Sequence, residues 1–248
     1  MLLPDLMNRL TEIFPGGSKD FCPNGLQVSG SKNISKVVFG VSASLEFLEH
    51  AESIGADAVI VHHGLFWNYQ DHTITGMLAD RVRSVMLANM NVIAYHAPLD
   101  HHQSIGNNIA LAKHLEYEPI EFFGPDDAIL MCKPSHPETL VDLSIGIQDK
   151  LDRKPVIAGD ATMPVNKIAI CTGAAGIYFQ DAIDAGAHMF LTGEISEQHY
   201  HMAHESGVHY IAAGHHATER YGVQALMDMI KKDFKDTAFV FADLPNPI

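Results

Sequence analysis

The chain has 248 residues, and its 16 basic and 30 acidic side chains give a formal net charge of −14 at pH 7. Hydrophobic residues make up 47% and charged residues 19%, which is typical of a globular protein and excludes a disordered chain. Nucleic acid is an unexpected partner, because phosphate binding needs clustered lysines and arginines and the sequence contains no such run. The 16 histidines are unusual, since several stand in pairs and imidazole is the commonest metal ligand.

The cysteines and the N-terminus indicate the compartment. Cys22, Cys132 and Cys171 are widely separated, which favours neither a disulfide framework nor a zinc knuckle and predicts reduced thiols. The N-terminus lacks the basic and apolar pattern of a signal peptide. No apolar run approaches the roughly 20 residues that a membrane helix needs. We therefore expect a cytoplasmic protein that has no contact with a membrane.

The first half of the chain predicts alternating helices and strands. The position of Gly55 after an apolar-periodic stretch is typical of a helix that ends at a glycine. The predicted elements are a helix over 4–14, a strand over 37–41, a helix ending at 55, a strand over 58–61, a helix over 78–88, a strand over 92–95, a helix over 106–115 and a strand over 120–123. Alternation of this kind predicts α/β sheets that are mixed but mostly parallel.

The second half repeats this order. Residues 34–64 match 165–195 at a constant spacing of 131 residues, and the matched positions include glycines 55 and 186. The predicted elements are a helix over 138–151, a strand over 168–171, a helix ending at 186, a strand over 189–192, a helix over 198–205, a strand over 208–211, a helix over 217–232 and a strand over 238–241.

This echo predicts an internal duplication. We expect two similar, intertwined α/β lobes, with the first repeat at 1–124, a proline-containing linker at 125–137 and the second repeat at 138–248. The alternative is one undivided sheet, in which the units look alike because all strand–helix units do.

Side chains that favour metals follow several predicted strands. Ligands of open α/β sheets bind beyond the carboxyl ends of the strands. His62 and His63 follow one strand directly, Asp100 follows the next strand along the chain, and His215 and Glu219 begin the last helix. Neighbouring side chains of an extended backbone point in opposite directions, so adjacent imidazoles suit two ions about 3.5–4 Å apart.

The two carboxylates complete the predicted ligand set. His215 and Glu219 share a helix face if the last helix begins that early, and a carboxylate there can bridge two ions. Pro98 favours a loop around Asp100. Mixed nitrogen and oxygen ligands suit Zn, Mn or Fe better than Ca or Mg. The sequence therefore predicts a metal centre, which we favour over a coincidental placement of five residues.

Other residues have less specific interpretations. Glu194 and His96 are candidate proton-transfer groups, and His96 is equally compatible with packing or with a ligand role. The turn at 171–176 favours an ordinary strand-to-helix connection over an anion site. The aromatic run at 66–69 either stacks a planar ring or serves packing or a subunit contact. Hydrogen bonding is expected of the isolated histidines His50, His72, His114, His136 and His188.

Together, several motifs carry a resemblance to a known family. They are Pro-Asn-Gly-Leu-Gln-Val at 23–28, Val-His-His-Gly at 61–64, His-Ala-Pro-Leu-Asp at 96–100, Thr-Gly-Glu at 192–194 and Gly-His-His-Ala-Thr-Glu at 214–219. This combination resembles the Nif-three-like family, also called the GTP cyclohydrolase 1 type 2 family, in its short bacterial form. The similarity spans nearly the whole chain, and the longer members' central domain is missing.

The resemblance implies an assembly and a metal centre. It implies two intertwined α/β repeats, a homohexameric toroid and a dinuclear centre. His62 and Asp100 correspond to ligands of one ion, His63 and His215 to ligands of the other, and Glu219 to a bridge between them. Where many relatives carry a histidine, this chain has Gln198.

The function implied is a metal-dependent hydrolase. Its expected substrate is a nucleotide or a similar small metabolite, and the family name points to opening of the GTP imidazole ring. The alternative is a non-catalytic metal-binding scaffold, chaperone or regulatory partner. The two differ in whether a proton-transfer group accompanies the metal ions.

Overall fold

A computed structural model describes residues 1–16, 20–71, 73–160 and 162–248. The helices are α1 (Leu3–Ile13), α2 (Leu45–Ser53), α3 (Gly76–Leu87), α4 (Ala97–Asp100), α5 (Asn107–His114), α6 (Leu140–Leu151), α7 (Phe179–Asp184), α8 (Glu197–Ser206) and α9 (His215–Ile230). None of the helices within those ranges is both long enough and apolar enough to cross a membrane.

The strands alternate with these helices along most of the chain. They are β1 (Gly25–Val28), β2 (Lys36–Ser42), β3 (Ala58–His63), β4 (Asn91–Ala94), β5 (Glu118–Phe123), β6 (Ile129–Lys133), β7 (Glu138–Thr139), β8 (Val156–Ala158), β9 (Pro164–Val165), β10 (Ile168–Ile170), β11 (Met189–Thr192), β12 (His209–Ala212) and β13 (Ala238–Phe241). The predicted α/β class with mixed sheets is confirmed, and the predicted elements end within one or two residues of those observed.

The chain divides into two compact units. The first contains residues 1–102 and 223–245, and the second contains residues 103–222 and 246–248. Strand β13 belongs to the first unit, where it pairs in parallel with β2, although the sequence suggested it as the last strand of the second lobe. Its apolar pattern predicts a strand but does not specify which strand it pairs with. The assignment of 1–124 and 138–248 to two repeats stays a prediction.

The segment expected to link the repeats differs from that expectation. Residues 125–137 include β6, which pairs with β5 on one side and with β10 on the other. Its residues Ile129, Leu130, Met131 and Cys132 are buried. The flanking prolines stand outside the strand, and the apolar run between them forms an interior strand because it can be covered on both faces.

The first unit contains a five-stranded sheet in the order β1-β4-β3-β2-β13. Strands β4, β3, β2 and β13 are parallel to one another, and β1 runs antiparallel to β4. The buried apolar side chains of β2, β3 and β4 pack against helix residues such as Phe47 and Leu48. The carboxyl ends of these parallel strands meet at one edge, which carries Ser42, His63 and His96.

The second unit contains a six-stranded sheet in the order β5-β6-β10-β11-β12-β8 and a two-stranded sheet of β7 and β9. Strands β10, β11 and β12 are parallel, while β5, β6 and β8 run antiparallel to their neighbours. Apolar clusters cover the two faces of the larger sheet. The carboxyl ends of the parallel strands lead to Gly173, Glu194 and His215.

The amino ends of the parallel strands show the same local structure in both units. The Asp57 carboxylate accepts a hydrogen bond from the Ser35 amide (2.7 Å), and His188 Nδ1 accepts one from the Asn166 amide (3.0 Å). Asp57 and His188 are aligned by the 131-residue spacing, as are Ser35 and Asn166. This match supports the internal duplication, which stays a prediction.

Candidate metal centre

Three imidazoles cluster at the carboxyl edge of the first unit. His62, His63 and His96 offer nitrogen atoms that all lie within 4.8 Å of one another. Their ring centroids are 4.5 Å (His62 to His63), 4.9 Å (His62 to His96) and 5.7 Å (His63 to His96) apart. His62 is fully buried, and the other two are partly buried. Because neutral imidazole is a good ligand, this cluster has the composition of a cation site.

The hydrogen bonds of His62 define its tautomer. Its Nδ1 lies 3.1 Å from the Tyr95 carbonyl oxygen, and a carbonyl can only accept, so Nδ1 carries the proton. In the neutral ring Nε2 is then the acceptor, and it faces Asp100 Oδ1 at 3.4 Å. Two acceptors that face each other suit a shared cation.

Asp100 is the last residue of helix α4, where the sequence favoured a loop. The expectation was wrong because Pro98 stands in the first turn of this helix. Proline is tolerated there, since the first amides of a helix have no intrahelical acceptor. The short helix places Asp100 beside His62.

His63 is oriented by the neighbouring strand. The parallel pairing of β2 with β3 puts Ser42 opposite His63, and the Ser42 hydroxyl lies 2.9 Å from His63 Nδ1. This contact restrains the imidazole ring and leaves Nε2 as its second donor or acceptor position.

His96 is held by Asp20, a residue that sequence reasoning missed. The nearly buried Asp20 carboxylate accepts from His96 Nδ1 (2.7 Å), the Ala97 amide (2.9 Å) and Asn24 Nδ2 (2.8 Å). Burial alone would raise the pKa of Asp20, but the hydrogen bonds from His96 and Asn24 outweigh it and hold the pKa well below its ordinary value. Asp20 is therefore ionised, and it accepts the Nδ1 proton of His96.

The motif at 23–28 connects the loops that follow β3 and β4. Asn24 Oδ1 accepts from the His96 amide and Gln27 Oε1 accepts from the Leu65 amide, both at 2.8 Å. At Gly64 an added Cβ would lie 2.3 Å from Gln27 Nε2, so the glycine allows the close approach. The motif therefore positions the histidine loops. The motif marked this segment as functional in the sequence. No spacing pattern, however, indicated that Asp20 would contact His96.

In the second unit, His215 stands between two carboxylates. Helix α9 begins at His215, so the predicted shared helix face is present: His215 Nε2 lies 3.2 Å from Glu219 Oε2. His215 Nδ1 lies 2.6 Å from Glu194 Oε1. Burial alone would lower the pKa of His215, but Glu219 and Glu194 outweigh it and raise the pKa to about 9. A metal ion at Nε2 would therefore compete with a proton.

Glu194 contacts His215 in the manner of a carboxylate that orients a ligand. Such histidine–carboxylate pairs fix the ring and raise its basicity. The predicted proton-transfer role of Glu194 stays a prediction. Gln198, where many relatives carry histidine, is exposed on α8.

The turn at 171–176 uses its amides within the protein. The Thr172 amide donates to Asn108 Oδ1 (2.9 Å), and the Gly173 amide donates to Thr218 Oγ1 (3.1 Å). The Ala175 amide donates to Thr192 Oγ1 at 3.4 Å. Because these amides donate within the protein, the turn is better interpreted as an ordinary strand-to-helix connection than as an anion site.

Gly173 also leaves room for the carboxylate of Glu219. The glycine has φ +70°, and an added Cβ would lie 2.2 Å from Glu219 Oε1 and 3.3 Å from His215 Nε2. Glu219 itself is only 3% exposed. The space that a side chain would fill at position 173 is therefore needed by the two predicted ligands, which fits a metal site.

Three of the isolated histidines make ordinary hydrogen bonds. His50 is exposed on α2, and His72 lies outside the described residues. The other pairs are His114 Nε2 with the Lys150 carbonyl, His136 Nδ1 with Ser135 Oγ and His188 Nδ1 with the Asn166 amide, each at 3.0 Å.

Fold and side chains together define a class: an α/β protein whose parallel strands carry imidazole and carboxylate side chains at their carboxyl ends. The family model described as DUF34/NIF3 (NGG1p interacting factor 3) matches residues 1–247. The chain therefore belongs to the DUF34/NIF3 family, and the resemblance found in the sequence is confirmed.

Known relatives agree with this assignment. A Pseudomonas aeruginosa protein named GTP cyclohydrolase 1 type 2 homolog is 44% identical over 232 residues, which cover 92% of this chain and 91% of that protein. An Escherichia coli protein of the same name is 41% identical over 236 residues and 92% of each chain. A solved structure of protein ybgI, described as of unknown function, matches all of both chains with a TM-score of 0.95 at 38% identity.

Proposed function

We propose that the protein is a dinuclear-metal-dependent hydrolase that acts on a nucleotide or a similar small metabolite. The observation that carries this proposal is the cluster of three imidazoles whose nitrogen atoms lie within 4.8 Å of one another. Imidazole and carboxylate ligands together favour Zn, Mn or Fe. The curated relatives are named as homologs of a GTP cyclohydrolase, which makes GTP the first substrate to test.

The ligand roles follow the family resemblance. His62 and Asp100 would hold one ion, His63 and His215 the other, and Glu219 would bridge. The contacts within each unit support this assignment, since His62 faces Asp100 and His215 faces Glu219. A bound divalent metal supplies Lewis-acid polarisation of the substrate and activation of a water molecule.

The protein's own groups orient ligands and move protons. Asp20 holds the Nδ1 proton of His96, so His96 Nε2 is the atom that would take a proton from the attacking water and return it to the leaving group. Glu194 accepts from His215 Nδ1 and fixes that ring as a ligand. A scaffold protein would need the ligands but would not need His96 as a base.

The first experiment measures metal and turnover on the same samples. Protein purified without chelator should contain about two divalent ions per chain, and metal-loaded protein incubated with GTP should release formate. His62→Ala and His215→Ala should each lower the metal content and abolish formate release. His201→Ala is the matched control, because this histidine is 59% exposed and contacts the exposed Glu197 and Tyr200.

Two results would contradict parts of this proposal. Metal-loaded protein that releases no formate at any loading rejects the GTP cyclohydrolase activity, and a screen over nucleotides and phosphorylated metabolites then tests the hydrolase class. Metal-loaded protein that turns over none of them favours the non-catalytic scaffold.

We also propose that the chain forms a cytoplasmic homohexameric toroid, as the family resemblance implies. Light scattering coupled to size exclusion should then give six times the 27.2 kDa mass of one chain. A monomer or dimer at micromolar concentration would reject the toroid.

A further inference from the structure

Three aromatic side chains of the first unit form an open surface, which we call the aromatic wall: Phe21, Trp67 and Tyr69. The ring centroids of Trp67 and Tyr69 are 5.8 Å apart, and those of Phe21 and Tyr69 are 6.4 Å apart in an edge-to-face arrangement. Phe21 is 66% exposed and Tyr69 is 69% exposed. Neighbouring large aromatics that stay open to solvent indicate a binding surface more often than a packing surface.

The aromatic wall adjoins the imidazole cluster. The ring centroid of Trp67 lies 5.8 Å from that of His63 and 5.1 Å from that of His96, the latter with an edge-to-face geometry. A ligand on the wall would therefore have its edge close to the candidate metal ligands and to the candidate base.

Hydrogen bonds fix the wall before any ligand binds. The Asn68 amide donates to the Phe21 carbonyl oxygen (2.7 Å), and Asn68 Nδ2 donates to the Asp20 carbonyl oxygen (2.8 Å). The carboxylate of the same Asp20 holds His96. The segment at 20–21 thus sets the position of the wall and of His96 together, and a preorganised surface costs less entropy on binding.

We propose that the aromatic wall stacks the planar nitrogen heterocycle of the substrate beside the metal ligands. This inference rests on the proposed function, because it names the substrate class of the same site. The ring faces of Trp67 and Tyr69 offer stacking, which accepts any planar base. Aromatic rings offer no cationic hydrogen-bond donor, so the wall recognises the ring and not a phosphate. Phe66 and Trp67 are both partly buried and pack against the core of the first unit, whereas Phe21 and Tyr69 are exposed.

The only tryptophan of the chain provides the readout, because Trp67 belongs to the wall. Its fluorescence should be quenched by guanosine 5′-monophosphate and by adenosine 5′-monophosphate, since a stacked base quenches indole emission. Ribose 5-phosphate carries the same sugar and phosphate without the ring, and it should leave the emission unchanged. The titrations are made on the full chain, both metal-loaded and metal-stripped.

Substitutions locate the binding on the wall. Phe21→Leu and Tyr69→Leu should each weaken binding of guanosine 5′-monophosphate about tenfold, as expected for the loss of one stacking partner. Tyr69→Phe keeps the ring and should bind within about twofold of the unaltered protein. Tyr200→Leu is the matched control, because Tyr200 is an exposed aromatic of the second unit at 50% exposure, and its affinity should be unchanged.

Three outcomes would overturn the inference: equal quenching by ribose 5-phosphate, unchanged affinity in both Phe21→Leu and Tyr69→Leu, or tighter binding of single-stranded oligonucleotide than of mononucleotide. The last would assign the wall to nucleic acid. Metal analysis of the same samples separates this inference from the proposed function. If the protein binds no metal but nucleotides still stack, the dinuclear hydrolase is rejected and the wall is supported. If the protein binds metal but no stacking is observed, the wall is rejected.

Discussion

The carboxyl edges of the two sheets use corresponding positions in different ways. Ser42 in the first unit and Gly173 in the second are aligned by the 131-residue spacing. The hydroxyl of Ser42 contacts His63 Nδ1 at 2.9 Å, whereas Gly173 has no side chain and leaves its space to the Glu219 carboxylate. The same place in a strand-to-loop connection therefore orients a ligand in one unit and makes room for a ligand in the other.

A second pair of aligned positions extends this comparison. His63 of the first unit contributes an imidazole to the cluster, and Glu194 of the second unit contributes a carboxylate that contacts His215. The first edge is therefore rich in imidazole, and the second surrounds a single imidazole with carboxylates. Carboxylates bring negative charge and neutral imidazoles do not, so corresponding positions of the two edges differ in the charge that they offer a cation.

The largest effect is expected when the space at position 173 is filled. In Gly173→Ala the new Cβ would overlap Glu219 Oε1, the end of a flexible side chain, so we expect the carboxylate to move and the backbone to stay. Metal affinity should fall about 10–100-fold, as it does when the geometry around a ligand is lost. Metal titration of chelator-treated protein measures this change.

Gly186→Ala is the matched control for that variant. Gly186 has φ +72°, nearly the same as Gly173, but an added Cβ there meets nothing within 4 Å. Both variants should lose about 1–2 kcal/mol of stability from the left-handed backbone, measured by urea denaturation, and only Gly173→Ala should lose metal. Equal metal affinities in the two variants would contradict the role of Gly173.

A smaller effect is expected from the residue that holds His96 in the first unit. Asp20→Asn keeps the size of the side chain but removes its charge, so the hydrogen bond from His96 Nδ1 weakens. We expect turnover to fall about tenfold while metal content changes little, since His96 is proposed as the base. Asp80→Asn, at an exposed position of α3 in the same unit, is the control. A loss of metal equal to the loss of turnover would instead make His96 a ligand.

The smallest effect on stability is expected from a substitution at the amino ends of the strands. Burial alone would raise the pKa of Asp57, but hydrogen bonds from Ser35 and Lys36 outweigh it and lower the pKa. Its contribution to stability is therefore present at neutral pH and is lost as the pH falls through roughly 5 to 3. Asp57→Asn should cost about 1 kcal/mol at pH ~7 and less at pH ~4, measured by urea denaturation. An equal cost at both pH values would show that the charge of Asp57 does not matter.

Much of the fold was predictable because its signals are local. The alternation of strands and helices follows from apolar periodicity and from helix-ending glycines such as Gly55 and Gly186, which involve residues a few positions apart. The same signals placed His62 and His63 at the carboxyl end of a strand and His215 beyond the end of another. Prolines led to two wrong predictions, a linker where β6 is a buried strand and a loop where α4 is a helix. Proline indicates the boundary of an element but does not specify which element adjoins it.

The sequence by itself determined the α/β class, the order of the elements, the family and the candidate ligands at the strand ends. Only the tertiary structure decided that β13 pairs with β2, that Asp20 holds His96 and that Gly173 makes room for Glu219. Elements and caps depend on near neighbours, whereas these contacts join residues far apart in the chain. Their partners are selected by which faces and loops pack together, and no local pattern encodes that choice.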